Sequence, residues 1–262
     1  MTDSQQPSPQ HTASRSPVQE FCTATAFLTR LHVGGDDTAI SRTCWAFPLV
    51  GAGIGAFGGG IFFLSLWLPL PPLVAGLVAV TAMIGLTGAL HEDGLADTVD
   101  GFGGGRDANR KLEIMRDSRI GAFGVLALIL GVGLRAGSVA NLAEIALPAW
   151  IAAAAISRAT MPALMAALPL SSASGLAASA GHPSRRDIVL GSLIAIVVAV
   201  LALGIGPGIV ACVVTAAAAF CVATLARRQI HGYNGDVLGA AQQISEIAVL
   251  LCVAALNGRG VL

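Results

Sequence analysis

Charge is what this chain has least of. Charged residues fill 11% of its 262 positions, under half of the roughly 25% found in an average soluble domain. Hydrophobic residues make up 55% and the mean hydropathy is +0.76, which excludes an ordinary water-soluble domain. Basic and acidic residues number 15 each, so no net positive charge argues for nucleic acid as a partner. The cysteines (Cys22, Cys44, Cys212, Cys221, Cys252) form no C-x-x-C pair. Most lie in apolar surroundings and read as small buried hydrophobes, not as a zinc site or a disulfide framework. The N-terminus lacks the apolar core of a secretory signal. Met1 to Pro17 is rich in Ser, Gln and Pro, which predicts a disordered cytoplasmic tail over 1–20 and leaves insertion to the first membrane segment.

What the chain has instead is long apolar runs, several near the roughly 20 residues that cross a bilayer core of about 30 Å. The expected fold is all-α: a polytopic integral membrane protein of about seven transmembrane helices, with one membrane-embedded domain over 21–262. The spans read as Trp45–Leu68, Leu73–Leu90, Gly121–Leu142, Ile145–Leu168, Ile188–Leu203, Ile209–Ala226 and Ile244–Leu256. Prolines 69, 71 and 72 separate the first two, and Pro207 separates the fifth and sixth. Glu20 to Leu31 is moderately apolar, as an interfacial helix would be. Gly51/Gly55 and Gly55/Gly59 have the G-x-x-x-G spacing that lets membrane helices approach closely.

The basic residues test that layout. Arg15, Arg30 and Arg42 precede the first span; Arg106, Arg110, Lys111, Arg116 and Arg119 lie between the second and third. Arg185 and Arg186 follow the fourth, and Arg227 and Arg228 follow the sixth. Alternate loops are therefore basic, which places them in the cytoplasm and the C-terminus outside.

Against this sparse background, His91-Glu92-Asp93-Gly94-Leu95-Ala96-Asp97-Thr98-Val99-Asp100-Gly101 crowds four carboxylates into one short stretch at the mouth of the apolar run Leu73 to Leu90. Asp93, Asp97 and Asp100 stand at i, i+4 and i+7. At about 100° per residue they share an arc of roughly 60° on one helical face, with Glu92 pointing elsewhere. Like charges so spaced repel one another, and a divalent cation reverses that sign. Hard oxygen ligands suit Mg²⁺, whose shell is completed by water and substrate phosphate. The same acids could instead form a solvated helix end balancing the arginines that follow.

Gly103-Gly104-Gly105-Arg106 then offers backbone amides and a guanidinium to a phosphate. Arg116, Asp117 and Arg119 are further candidates, although a cytoplasmic loop needs positive charge for topology alone. In His231-Gly232-Tyr233-Asn234-Gly235-Asp236 the Asn-Gly turn displays Asp236 at the start of the last span. Glu246 lies inside that span, with Gln242 and Gln243 a turn before it, and an intramembrane acid is a functional candidate by default. Arg135 and Arg158 are its candidate ion-pair partners, in a substrate-binding or purely structural role. His91 could serve as a metal ligand, a phosphate donor or a capping group.

Taken together, these residues resemble the cobalamin synthase family, the adenosylcobinamide-GDP ribazoletransferases. The resemblance rests on H-x-D-G-L-A-D-T-x-D-G from His91 to Gly101, G-G-G-R at Gly103–Arg106, and L-E-I-M-x-D-S-R-I-G-A-F-G from Leu112 to Gly124. Phe47-Pro48-Leu49-Val50-Gly51, Ile156-Ser157-Arg158 and Gly235-Asp236-Val237-Leu238-Gly239-Ala240 leading to Glu246 add to it. Two departures stand out: no arginine near Ser172, and Asn234 where the family commonly has threonine. The resemblance implies a Mg²⁺-dependent phosphotransferase of the cell inner membrane with its active site at the cytoplasmic face. A ribose hydroxyl of α-ribazole, or of its 5′-phosphate, would displace GMP from adenosylcobinamide-GDP. Asp93, Asp97 and Asp100 would hold the metal, and Asp97 or Asp100 would act as base. His91, Arg106, Arg116, Asp117, Arg119, Arg158, Asp236 and Glu246 would contact substrate. A CDP-alcohol phosphotransferase-like enzyme is the alternative within the same chemistry, but that family places A-R after its D-G where this chain has Ala96-Asp97. From another class, an ion-coupled transporter would use Glu246, Arg135 and Arg158. The densest charge nevertheless sits at a membrane edge, not at the midplane.

Overall fold

The computed structural model describes residues 16–34, 40–171 and 175–262. Residues 1–15 of the tail expected over 1–20, and Ser172, lie outside them, while Pro17 to Glu20 of that tail are helical. Within the described residues the chain is helical throughout: α1 (Pro17–Leu28), α2 (Ile40–Thr43), α3 (Phe47–Trp67), α4 (Pro72–Thr87), α5 (Leu90–Gly104), α6 (Ala108–Arg116), α7 (Ala122–Ala140), α8 (Ala146–Ala167), α9 (Leu176–Ala180), α10 (Arg185–Leu203), α11 (Ile205–Ile230) and α12 (Gly235–Asn257). Six segments are long and apolar enough to cross a membrane: Ile40–Trp67, α7, α8, α10, α11 and α12. Helices α4 and α5 make a bent pair with 94° between them. All seven spans read from sequence correspond to these elements, with the second one broken.

Three boundaries differ from the sequence reading, each for a local reason. Helix α1 begins at Pro17, set by a reciprocal cap in which Ser16 and Gln19 each accept from the other's backbone amide. The sixth span is longer than Ile209–Ala226, because Pro207 sits in the first turn of α11, where a missing N–H costs nothing. The seventh begins at Gly235, well before Ile244, because the Asn234 side chain accepts from Val237 N at 3.0 Å and caps the helix there. That last shift moves Asp236 from a loop into the first turn of a helix.

The bundle is built around α8, which packs against α3, α10, α11 and α12. Ala152 to Ala155 are wholly buried, and such small side chains let several helices reach one axis. The glycine stripe of α3 lies on α8 as its spacing predicts. A Cβ at Gly51 would overlap Ala154, one at Gly55 would overlap Trp150, and one at Gly59 would overlap Leu147. The outer faces carry exposed apolar bands, for example Leu126, Ile129 and Leu130 on α7 and Leu193, Val197 and Leu201 on α10. Such bands are the kind of surface that membrane-spanning helices present.

Candidate active site

The site starts at the break between α4 and α5. Gly88 (φ 66°) and Ala89 (φ 59°) are both left-handed, and their amides both turn back to the carbonyl of Ile84. Arg30 closes over the bend: its amide donates to Leu86 O at 2.8 Å, and its guanidinium fills the space a Gly88 side chain would take. The chain leaves α4 at 94°, and α5 then packs against α12, α7 and α6.

Helix α5 then divides its acids among three directions. Glu92 points into the bundle, where Arg135 Nη1 donates to its Oε1 at 2.7 Å and Gln243 Nε2 at 3.1 Å. Asp93 is exposed and Asp97 half-buried, on the open side. Asp100 is buried, and its two oxygens accept from the amides of Gly121 (2.7 Å) and Gly124 (2.8 Å) at the N-terminus of α7. A carboxylate suits a helix N-terminus, with its unpaired amides and positive dipole end. Both partners are glycine because a Cβ at either would overlap that carboxylate. Asp100, read from spacing as metal ligand and base, thus has both oxygens engaged by amides of α7.

A further carboxylate comes from α12. A Cβ on Gly94 would stand 2.9 Å from the carbonyl oxygen of Asp236, and one on Gly239 would stand 3.3 Å from the Cα of His91. Two glycines thus let α5 and α12 touch backbone to backbone, which brings Asp236 beside Asp93 and Asp97. Asn234 steadies it, donating from Nδ2 to Asp236 Oδ2 at 2.8 Å. Burial, then the charges of Asp93, Asp236 and Asp100, push the Asp97 carboxyl up to about 7. That is the electrostatic condition a bound cation relieves. Among the described residues no three His, Cys, Asp or Glu side chains are arranged as a metal cage. Mg²⁺ needs none, since one or two carboxylates with water and substrate phosphate suffice. The hard oxygens of Asp93, Asp97 and Asp236 fit it.

Next to these carboxylates opens a cavity of about 370 Å³. Phe27, Phe47, Met115, Met161 and Met165 line its apolar wall, while His91, Asp93, Arg116, Asn234 and Asp236 line its polar side. His91 is 2% exposed, and neither ring nitrogen has a hydrogen-bond partner among the described residues. Tyr233 N donates to Pro169 O (2.9 Å) and Ser171 N to Tyr233 O (2.8 Å), which ties the chain just after α8 to the turn before α12.

Beneath the site lies a buried polar network. Arg135 Nη2 stands 3.0 Å from Glu246 Oε1, and Arg158 Nη1 stands 3.4 Å from Glu246 Oε2. Gln242 Nε2 donates to Glu246 Oε2 (2.7 Å) and to Ser157 Oγ (3.0 Å). With Glu92, two guanidiniums meet two carboxylates, so the cluster is neutral. The ion pairs expected for Glu246 are therefore present. Arg158 and Glu246 belong to this network and do not line the cavity.

The remaining loop candidates separate. Arg116 lines the cavity. Arg106 is exposed and lies outside it. Asp117 and Arg119 pair with each other at 2.6 Å in an exposed turn, which holds the Asp117 carboxyl down at about 2. Sequence reasoning missed the cavity wall altogether, because apolar residues carry no signal in a chain this apolar. It also missed Lys111, which ties α6 to Gln229 of α11.

Comparison with known proteins covers almost the whole chain. Residues 20–254 match the family described as cobalamin-5-phosphate synthase. The chain is similar to the adenosylcobinamide-GDP ribazoletransferase of Bradyrhizobium diazoefficiens, 44% identical over 249 residues that cover 93% of this chain and 96% of the relative. The enzyme so named from Azorhizobium caulinodans is 44% identical over 222 residues, 82% of this chain and 84% of the relative. That from Rhizobium etli is 40% identical over 248 residues, 88% and 94%. No solved structure matches the chain.

Proposed function

The chain belongs to the cobalamin-5-phosphate synthase family, and from that membership and the geometry of its site we infer that it transfers the adenosylcobinamide phosphate of adenosylcobinamide-GDP to α-ribazole, or to α-ribazole 5′-phosphate, releasing GMP and forming adenosylcobalamin or its 5′-phosphate. The observation that carries the site assignment is the contact of Gly94 with Asp236, which gathers carboxylates from two helices beside a nucleoside-sized cavity.

A ribose hydroxyl oxygen attacks the phosphorus that carries the cobinamide. The bond from that phosphorus to the GMP oxygen breaks, GMP leaves with the electron pair, and the hydroxyl proton passes to a carboxylate of the Asp93, Asp97 and Asp236 group. Transfers of this kind rest on positioning and charge, with little covalent work for the protein. Mg²⁺ bound here would neutralise the pyrophosphate and the departing phosphate. Asp93, Asp97 and Asp236 are the residues that would hold it. Arg116 is part of the cavity lining and carries a guanidinium fork of the kind suited to phosphate oxygens. The basic loops and the positive-inside rule support a cytoplasmic site on the inner membrane. The neutral buried network supports a structural role for Arg135, Arg158 and Glu246 over ion coupling.

The test is GMP release by the detergent-purified chain from adenosylcobinamide-GDP and α-ribazole, with Mg²⁺ and with a chelator. Release that requires both α-ribazole and metal is the expected result. No release, or release indifferent to α-ribazole, would overturn the transfer, and turnover unaffected by the chelator would overturn the metal. Reporter fusions placing the Arg106–Arg119 loop outside the cell would overturn the topology.

A further inference from the structure

We propose that a second cavity, over the bend between α4 and α5, receives the departing nucleotide, with the Arg30 guanidinium binding its phosphate; this rests on the ribazole-transfer reading above. The cavity measures about 620 Å³, and Thr29, Arg30, His32 and Thr87 are among its lining. Phe27 and Leu90 border both it and the cavity that Asp93 and Asp236 line. In-line displacement decides which part of the reaction goes there, since the attacking and leaving oxygens stand on opposite sides of the phosphorus. The attacking hydroxyl gives its proton to a carboxylate, so it comes from the cavity that holds the carboxylates. GMP then needs room on a different side. Leu90 stands one turn before Asp93 on α5, roughly 5 Å along the axis, a step that one pyrophosphate spans. The volume lies within the roughly 300–1,000 Å³ of pockets that enclose a single small molecule, so a nucleoside monophosphate fits.

Charge points the same way. Among the described residues that line the second cavity there is no Asp or Glu, and Arg30 and His32 are the ionisable ones. Arg30 is exposed. Among the described residues its guanidinium has neither a hydrogen bond nor an ion pair; only its backbone amide is engaged, by Leu86 O. The guanidinium nevertheless has a defined place, lying across Gly88 where a Cβ would overlap Nε. In a chain with so little charge, this is a free fork beside a phosphate-transfer site, and such forks match phosphate oxygens in pairs. As the bond breaks, negative charge gathers on the GMP phosphate. The carboxylates repel that charge and Arg30 attracts it, so the transfer is favoured where the charge develops. Arg30 is thus the group that holds the leaving phosphate, on an element that sequence spacing did not connect with the aspartates.

The experiment titrates GMP and guanosine onto the detergent-purified full-length protein, Arg30→Met and Arg30→Lys, with divalent metal chelated so that phosphate affinity reports on the protein's own cations. The unaltered protein should bind GMP about tenfold more tightly than guanosine, the gain expected for one charge-assisted hydrogen bond. R30M, which keeps an aliphatic stem on the bend, should bring GMP to the level of guanosine and leave guanosine within about twofold, whereas R30K should keep part of the preference. Turnover supplies a second measurement that needs no variant: GMP should inhibit competitively against adenosylcobinamide-GDP and not against α-ribazole. Soluble dihexanoylphosphatidylglycerol is the lipid arm, and it should not displace GMP. Displacement at equal concentration would reassign Arg30 to a lipid headgroup. Equal affinity for GMP and guanosine in the unaltered protein, an R30M protein that still prefers GMP, or GMP that competes with the acceptor instead of the donor would each overturn the nucleotide site, while α-ribazole-dependent GMP release left the transfer standing. An unaltered protein that releases no GMP would overturn both.

Discussion

Gly94 of α5 rests against the backbone of Asp236 on α12, so closely that an added Cβ would stand 2.9 Å from the Asp236 carbonyl oxygen. Real side chains do not tolerate that distance against backbone. Gly94→Val should therefore push α5 off α12 and separate Asp93 and Asp97 from Asp236. Misplacement by about 1 Å costs on the order of 10²-fold in turnover. That fall should appear in GMP release while helical content by circular dichroism is unchanged. Turnover at the level of the unaltered protein in Gly94→Val would refute the two-helix site.

The three site aspartates should behave alike, and Asp100 differently. Asp97→Asn and Asp236→Asn remove a charge that faces the reacting phosphates, so each should lower kcat by about 10²-fold or more with membrane insertion intact. Wild-type-like kcat in Asp97→Asn would count against the metal site.

Asp100→Ala leaves the Gly121 and Gly124 amides without their acceptor. Hydrogen bonds to a charged group are worth about 1.5–3 kcal/mol each. The variant should lose stability in thermal unfolding in detergent, while the Mg²⁺ concentration for half-maximal activity stays where it was. A large rise in that concentration would return Asp100 to the metal.

Arg135 joins Glu92 of α5 to Glu246 of α12. Removing one partner of a buried pair costs about 3–5 kcal/mol, because a charge is left unpaired. Arg135→Met should show that loss in unfolding measurements. Combining it with Glu92→Gln should cost less than the sum of the two single changes; simple additivity would argue against the network.

The bend before α5 gives an opposite pair of expectations. Ala89 is held left-handed (φ 59°), a conformation that costs a residue with a side chain about 1–2 kcal/mol. Ala89→Gly relieves that strain and should be tolerated or mildly stabilising. Gly88→Val should destabilise, since it adds the same strain and drives a side chain into the Arg30 guanidinium. Thermal shifts of opposite sign are the check; equal shifts would refute the bend as a two-residue left-handed turn.

Much of this was legible in the chain itself. Hydropathy and the alternation of arginine-bearing loops gave the number and order of spans, because crossing a bilayer demands length and apolarity that few other folds need. The Gly51, Gly55 and Gly59 stripe announced a close helix contact by its spacing, and α8 is what it meets. Asp93, Asp97, Glu246 and its arginine partners were conspicuous for the simple reason that charge is rare here. Asn234, where the resemblance leads one to expect threonine, caps α12, since either side chain offers the oxygen a helix start requires.

Helical register alone could assign each acid to a face, but not decide what that face meets. What the Asp100 carboxylate meets depended on where the N-terminus of α7 arrived. Whether Asp236 joined the stripe depended on two glycines, 145 positions apart in sequence (Gly94 and Gly239), that allow α5 and α12 to touch. The cavity wall of phenylalanines and methionines had no signature at all among so many apolar neighbours. Sequence by itself determined that this is a seven-segment membrane protein with scarce, clustered acids, because composition and periodicity act locally. Only the tertiary structure decided which acids face one another and what they face, because that is set by the approach of distant backbones.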